Sequence, residues 1–381
     1  MVIAAVAAFA STLSLFSGLA RAAHTECNSM QILPETALTK AAAYNHAGRT
    51  TENRIRSVSP EGKERTIIHT FELTAEELMV IQPLVREVAS RHRSVEDAGF
   101  LDNVSTDAQE LPRRLRVFLN TFRLKEPSGV CLISGYPVDD AKIGKTPSHW
   151  TKKPDSSATE EEIFLNLCGA LLGDAVAWSH QRGGLVCQDL VPVEGHENEM
   201  LGSGSELELV WHTEDARYSY RGDYIGLMCL RNPDAVPTTF ASIDGARLDS
   251  NHVEILFEPH FVFRPDPSHS ADSEAVKAPV LYGDPESPYV RFDPYCMEQP
   301  ETDEARSAMD YLIRTIDENL TGVALRPGEC LFIDNYKAVH GRSSFKAKFD
   351  GTDRWLKRIN IARDLRKSRA VRKGPSSRLI L

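Results

Sequence analysis

Trp211-His212-Thr213-Glu214-Asp215 and, much further along the chain, Asp334-Asn335-Tyr336-Lys337-Ala338-Val339-His340-Gly341-Arg342 decide how this sequence reads. Together they offer two imidazoles and one carboxylate in the order His-x-Glu … His. Side chains i and i+2 of a strand share a face, so His212 and Glu214 can converge on one ion while Thr213 points away. The second histidine follows an apolar run, Glu329-Cys330-Leu331-Phe332-Ile333-Asp334, that reads as a strand running into a turn and presenting His340 from a neighbouring position. Taken singly, each histidine fits a core hydrogen bond or a surface position. Taken together, the three match a facial set that leaves coordination positions open, the pattern of non-haem Fe(II) oxygenases.

Arginines downstream of His340 add to this. Arg354 and Arg358 lie in Asp350-Gly351-Thr352-Asp353-Arg354-Trp355-Leu356-Lys357-Arg358-Ile359-Asn360-Ile361. The Asp-Gly pair predicts a hairpin turn, with Trp355 to Ile361 as the returning strand. An even separation puts both guanidiniums on one face of that strand. Two inward arginines beside a metal are costly unless each meets an anion, and bidentate capture of carboxylates is the pairing that justifies them. The competing account is a pair of surface arginines in a basic stretch that continues through Arg363, Arg366, Lys367 and Arg369.

The chain resembles the clavaminate synthase-like group of Fe(II)/2-oxoglutarate oxygenases, and within it the hydroxylases of free L-amino acids: the arginine β-hydroxylase of the viomycin pathway and its lysine and asparagine relatives. The blocks that carry the likeness are Gln188 to Pro192, Leu201 to Leu207, Trp211 to Ala216, Phe332 to Asn335, Ala338 to Arg342 and Asp353 to Arg358. The resemblance implies a double-stranded β-helix, or jelly roll, with flanking helices. It implies Fe(II) on His212, Glu214 and His340, with 2-oxoglutarate and O2 as cosubstrates. It assigns Arg354 to the far carboxylate of 2-oxoglutarate and Arg358 to the substrate α-carboxylate. Gln188, Leu201 and Ser203 would frame the amino end. Asp266, in Phe263-Arg264-Pro265-Asp266-Pro267-Ser268-His269, sits where such enzymes contact the side-chain tip, although an Asp-Pro pair also commonly begins a turn.

The expected reaction is hydroxylation of a free basic amino acid, arginine or lysine, at an unactivated carbon such as C3, releasing succinate and CO2. Desaturation, or another free or carrier-bound amino acid such as asparagine, uses the same residues. A zinc hydrolase on a His2Glu site has no need of the paired arginines. A non-catalytic binding jelly roll has no reason to retain the triad.

A chain of 381 residues with net charge −10 fits one soluble globular domain and disfavours nonspecific nucleic-acid binding. The resemblance implies an amino acid as its small-molecule partner. The seven cysteines include no Cys-x-x-Cys and mostly lie in apolar stretches, as expected of buried thiols in a reducing compartment. Residues 1–29 form an apolar N-terminal extension without a preceding basic residue, too rich in Ala and Ser for a membrane span. Ala20-Arg21-Ala22 resembles a signal-peptidase site, so the stretch reads as signal-like, or as mis-started with Met30 the alternative start. We therefore read 30–381 as one catalytic domain of a cytoplasmic enzyme.

Helices are expected over 74–94, 107–124, 159–172 and 303–320, the first capped by Thr74 with Glu77 completing a capping box. Gly129 to Tyr136 reads as a buried strand and Asp139 to Ser157 as a loop. From Ala175 strands dominate, broken by loops around 193–204, 264–279 and 283–288, the second a candidate lid.

Overall fold

The computed structural model describes residues 68–152, 158–245, 249–265 and 274–381. The N-terminal extension, Cys27 and Asp266 lie outside them. All described residues belong to one compact unit, Asn53–Leu381.

Two sheets face one another, and helices cover both outer faces. The larger sheet has the order β1 (Ile68–Glu72), β2 (Val130–Ser134), β13 (Cys330–Asp334), β6 (Tyr224–Arg231), β15 (Trp355–Ala362), β3 (Asp174–Trp178), β16 (Leu379–Ile380), with β4 (Cys187–Leu190) also paired to β15. The smaller runs β12 (Thr321–Val323), β7 (Thr238–Ser242), β14 (Ala338–Arg342), β5 (Leu209–His212). Two hairpins, β8 (Phe261–Phe263) with β9 (Val276–Ala278) and β10 (Leu281–Asp284) with β11 (Ser287–Val290), complete the strands. This is the expected jelly-roll core with flanking helices.

Strand alternation builds the layers. In β13, Cys330 and Phe332 point into the cluster under the helices, while Leu331 and Ile333 fill the space between the sheets. The first layer of helices comprises α1 (Ala75–Arg91), α2 (Ala98–Asp107), α3 (Arg113–Lys125) and, after the short α4 (Asp140–Ile143), α5 (Thr159–Ala170). On the far side, α6 (Ser250–Leu256) and α7 (Asp303–Asn319) pack with Trp211 and Val339 of the smaller sheet. No helix among the described residues is long and apolar enough to cross a membrane.

The capping box at α1 forms as expected. Thr74 accepts from the Glu77 backbone N–H at 3.3 Å, and the Glu77 carboxylate accepts from the Thr74 N–H at 2.9 Å, worth about 1 kcal/mol. The helix expected over 107–124 starts only at Arg113. Pro112 forces Leu111 into an extended conformation, so α2 closes with a 3-10 turn over Ala108–Glu110 and α3 begins afresh. The expected loop 139–157 contains α4, because the Asp139 carboxylate accepts from the N–H groups of Ala141 and Lys142 and nucleates one turn. Loop 283–288 is the turn of the β10–β11 hairpin, and loop 264–279 includes β9; its centre, 266–273, lies outside the described residues.

Asp350-Gly351 does not close a hairpin. β14 belongs to the smaller sheet and β15 to the larger, so residues 343–354 cross between sheets. The Asp353 carboxylate organises this crossing by accepting from the N–H groups of Lys348 and Phe349, both at 2.7 Å. The six cysteines described, Cys131, Cys168, Cys187, Cys229, Cys296 and Cys330, are buried free thiols.

Candidate active site

His212 and His340 are direct cross-strand partners of the antiparallel pair β5–β14. Partners opposite one another bring their side chains together, and the ring centroids lie 4.8 Å apart. Gly341 makes this approach possible: a Cβ there would sit 2.4 Å from the Leu209 carbonyl oxygen, so β14 can lie against β5 only with glycine beside His340. His340 is therefore part of a strand rather than carried on the turn before it.

Glu214 lies just past the end of β5, not within it. Asn335 supplies what the ladder would have provided. Its Oδ1 accepts from the Glu214 N–H at 2.8 Å, and its Nδ2 donates to the carbonyls of Glu214 and Gly222, both at 2.9 Å. The sequence reading gave Asn335 no role, although it falls within a block of the resemblance. Glu214 Oε2 then lies 3.7 Å from His212 Nε2 and 3.5 Å from His340 Nε2. One ligand atom from each of the three residues falls within 4.8 Å of the others.

The protonation pattern matches a cation site. His212 Nδ1 is 2.9 Å from the Val210 carbonyl, which fixes the tautomer and leaves Nε2 for a ligand or proton. Burial alone would lower the His212 pKa. The Glu214 hydrogen bond and the charges of Asp293 and Glu214 outweigh it and raise the pKa to about 9. Glu214 is itself buried, yet Arg358 and the two imidazoles hold it well below the usual carboxylate range. For His340 burial wins, aided by the charges of His212 and Arg358, and its pKa falls. One carboxylate thus faces two imidazoles of opposite tendency, an arrangement that one divalent cation satisfies better than one proton. His340 Nδ1 is buried and lacks a hydrogen-bond partner, so this histidine has none of the support that Val210 gives His212.

A cavity of about 320 Å³ opens on these residues, between the sheets. Leu201, Ser203, Arg354 and Arg358 line it, as does Asp293. Arg354, just before β15, and Leu356 and Arg358 on it point inward, while Lys357 turns to the helices and meets Glu162. Among the described residues, buried Arg354 donates to the Thr238 hydroxyl at 3.2 Å, and burial lowers its pKa to about 10. A guanidinium held dry without a carboxylate is costly, and an incoming carboxylate would relieve it. Arg358 donates through Nη1 to Glu214 Oε1 and through Nη2 to Gln188 Oε1, each at 2.7 Å. Gln188 does not itself line the cavity; it orients Arg358.

Asp293 is the acid the sequence reading overlooked. Its Oδ1 accepts from the N–H groups of Tyr295 and Cys296, and it shares a small recess beside the His-Glu-His set with His212, Glu214 and Arg264. Its signal was present in Phe292-Asp293-Pro294, an Asp-Pro pair like that at Asp266.

Residues 153–360 match the family model described as "Taurine catabolism dioxygenase TauD, TfdA family". The chain is 40% identical over 338 residues to an enduracididine beta-hydroxylase of Streptomyces hygroscopicus, covering 82% of this chain and 99% of the relative. It is also 40% identical over 342 residues to an L-ornithine/L-arginine 3-hydroxylase of Catenulispora acidiphila, covering 82% and 100%. Among solved structures, the non-haem iron oxygenase OrfP in complex with Fe and alpha-ketoglutaric acid superposes with a TM-score of 0.78 at 40% identity, covering 82% of this chain and 100% of that one. The likeness to hydroxylases of free amino acids is thus borne out, and the chain belongs to the TauD/TfdA family of dioxygenases.

Proposed function

We propose that this chain is an Fe(II)- and 2-oxoglutarate-dependent hydroxylase of a free basic L-amino acid, with arginine the first candidate and C3 the carbon attacked. The observation that carries this reading is the cavity itself: a His-Glu-His cluster, two inward arginines and a fixed aspartate line one space. His212, Glu214 and His340 would hold the iron, and Arg354 the far carboxylate of 2-oxoglutarate. Bound there with O2, iron and 2-oxoglutarate supply the oxidising power that the side chains lack. Arg358, braced by Gln188, would receive the substrate α-carboxylate, with Leu201 and Ser203 along the wall. Asp293 would meet the cationic end. Clamping both ends of a flexible substrate decides which C–H faces the metal.

Arginine is favoured over lysine by the relatives. Solved structures of OrfP, 38% identical, hold L-Arg and, with succinate, (3S)-hydroxy-L-Arg. Residues 30–381 would form one catalytic domain, acting in the cytoplasm where 2-oxoglutarate is made. The test is succinate formation by iron-loaded protein with 2-oxoglutarate and O2, across the free L-amino acids, followed by mass analysis. Arginine gaining one oxygen atom is the expected result. Loss of two hydrogens would make the enzyme a desaturase, and silence across the panel would remove the reading. Arg358→Ala is expected to weaken amino-acid binding by about 10- to 100-fold while iron stays bound; unchanged amino-acid affinity would sink the role given to Arg358.

A further inference from the structure

Resting on that reading, we propose that Arg182 is a second carboxylate-binding residue beside Arg358, making the enzyme select a free α-carboxylate over an amide or thioester. Arg182 lines the cavity with Arg354 and Arg358. Its backbone has φ +44°, followed by Gly183 and Gly184 at +70° and +74°. A non-glycine residue in the left-handed region costs about 1 kcal/mol or more, and such strain gathers at functional sites.

The guanidinium is held from several sides. Nη1 donates to the Asp189 carbonyl at 3.0 Å, and the guanidinium carbon stands 4.8 Å from the centre of the Trp150 ring. A Cβ on Gly202 would come within 3.0 Å of Nη2, so glycine leaves room for the group. What Arg182 lacks is an anion. No carboxylate among the described residues forms an ion pair with it, and the nearby Asp189 carboxylate is taken by Lys357 and the Trp355 indole N–H. Burial, followed by the charge of Arg358, lowers its pKa to about 10.

The other cavity arginines have identifiable duties. Arg342 is occupied by the carbonyls of Ser205, Leu207 and Ser343. Arg354 is the site for 2-oxoglutarate. Arg358 gives one N–H from each terminal nitrogen, to Glu214 and Gln188, and its buried Nε has no partner. Arg358 thus already shares its charge with Glu214 when a carboxylate arrives. A second guanidinium lining the same cavity completes the clamp. The same positive charge repels a basic side chain, so the substrate is held with its carboxylate towards Arg182 and its cationic end towards Asp293.

The test compares free L-arginine with L-arginine amide as substrates of the wild type, Arg182→Ala and Arg182→Lys. For Arg182→Ala we expect kcat/KM on the free acid to fall about 10- to 100-fold, mostly through KM. The amide, already a poor substrate, should change far less, and Arg182→Lys should recover part of the loss. Unchanged affinity for 2-oxoglutarate, read by calorimetry, checks that the variants keep their fold. An equal loss on acid and amide would make Arg182 a prop for the Trp150 and Gly202 segments and overturn the proposal, as would no loss at all. A wild type that accepts the amide as readily as the acid overturns this inference alone. A wild type that turns over no free amino acid overturns the function with it.

Discussion

The two faces of β15 carry cations of the same strand in opposite circumstances. Lys357, turned to the helices, is neutralised twice, by Glu162 at 2.7 Å and Asp189 at 2.5 Å, and these charges raise its pKa despite burial. Towards the other face, Arg354, just before the strand, has no carboxylate partner among the described residues, and Arg358 shares Glu214 with two histidines. Burial alone cannot tell these residues apart, since all are largely withdrawn from water. Whether the protein itself supplies the counter-charge does separate them. A buried cation matched by its own fold holds structure together, whereas one left unmatched is poised for a ligand.

The largest expected effect tests the structural face. Lys357→Met should lower stability by about 3–5 kcal/mol, because two buried carboxylates lose their cation. Denaturant unfolding measures this, and 2-oxoglutarate affinity should hardly move. On the cavity face the pattern should invert. Arg354→Met is expected to cost about 2–5 kcal/mol of 2-oxoglutarate affinity, while the ligand-free protein unfolds at the same or a higher temperature. A Tm drop matching that of Lys357→Met would erase the distinction between the faces.

Asp293→Asn should cost about 1.5–3 kcal/mol in kcat/KM for the basic amino acid and much less for a neutral isostere, narrowing selectivity. Equal losses on the two would show that Asp293 supports the cavity wall without reading charge. The smallest effect concerns pH. With no metal, His212 holds its proton up to about pH 9, above its ordinary value. That proton stabilises the metal-free fold fully below about pH 6.5, and the contribution fades as pH rises through 9. A metal must displace it, so affinity should rise about tenfold per pH unit between those limits, with one proton released. Flat affinity across that window would argue against His212 as a ligand.

Much of this was legible before the fold was known. Local rules sufficed for the Thr74–Glu77 cap and for the alternation that aims Arg354 and Arg358 together. Local rules also misled in places. The apolar spacing across Leu111 and Leu115 suits one helix, but Pro112 divides it. Asp350-Gly351 carries a hairpin signal, yet its flanking strands belong to different sheets. His-x-Glu was expected on one continuous strand, whereas Asn335, from a distant turn, places the glutamate.

The sequence by itself determined which donors exist and how each is spaced along its own strand, because side-chain direction follows from backbone periodicity over a few residues. It thereby named the His-Glu-His set, the paired arginines and the family pattern. Only the tertiary structure decided which side chains share a space. It set His212 opposite His340, turned Gln188 from the cavity wall to the support of Arg358, and brought Asp293 and Arg182 to the cavity. It also decided which buried charges are matched. Neutralisation depends on groups far apart in the chain meeting at a few ångströms, and no local pattern records that distance.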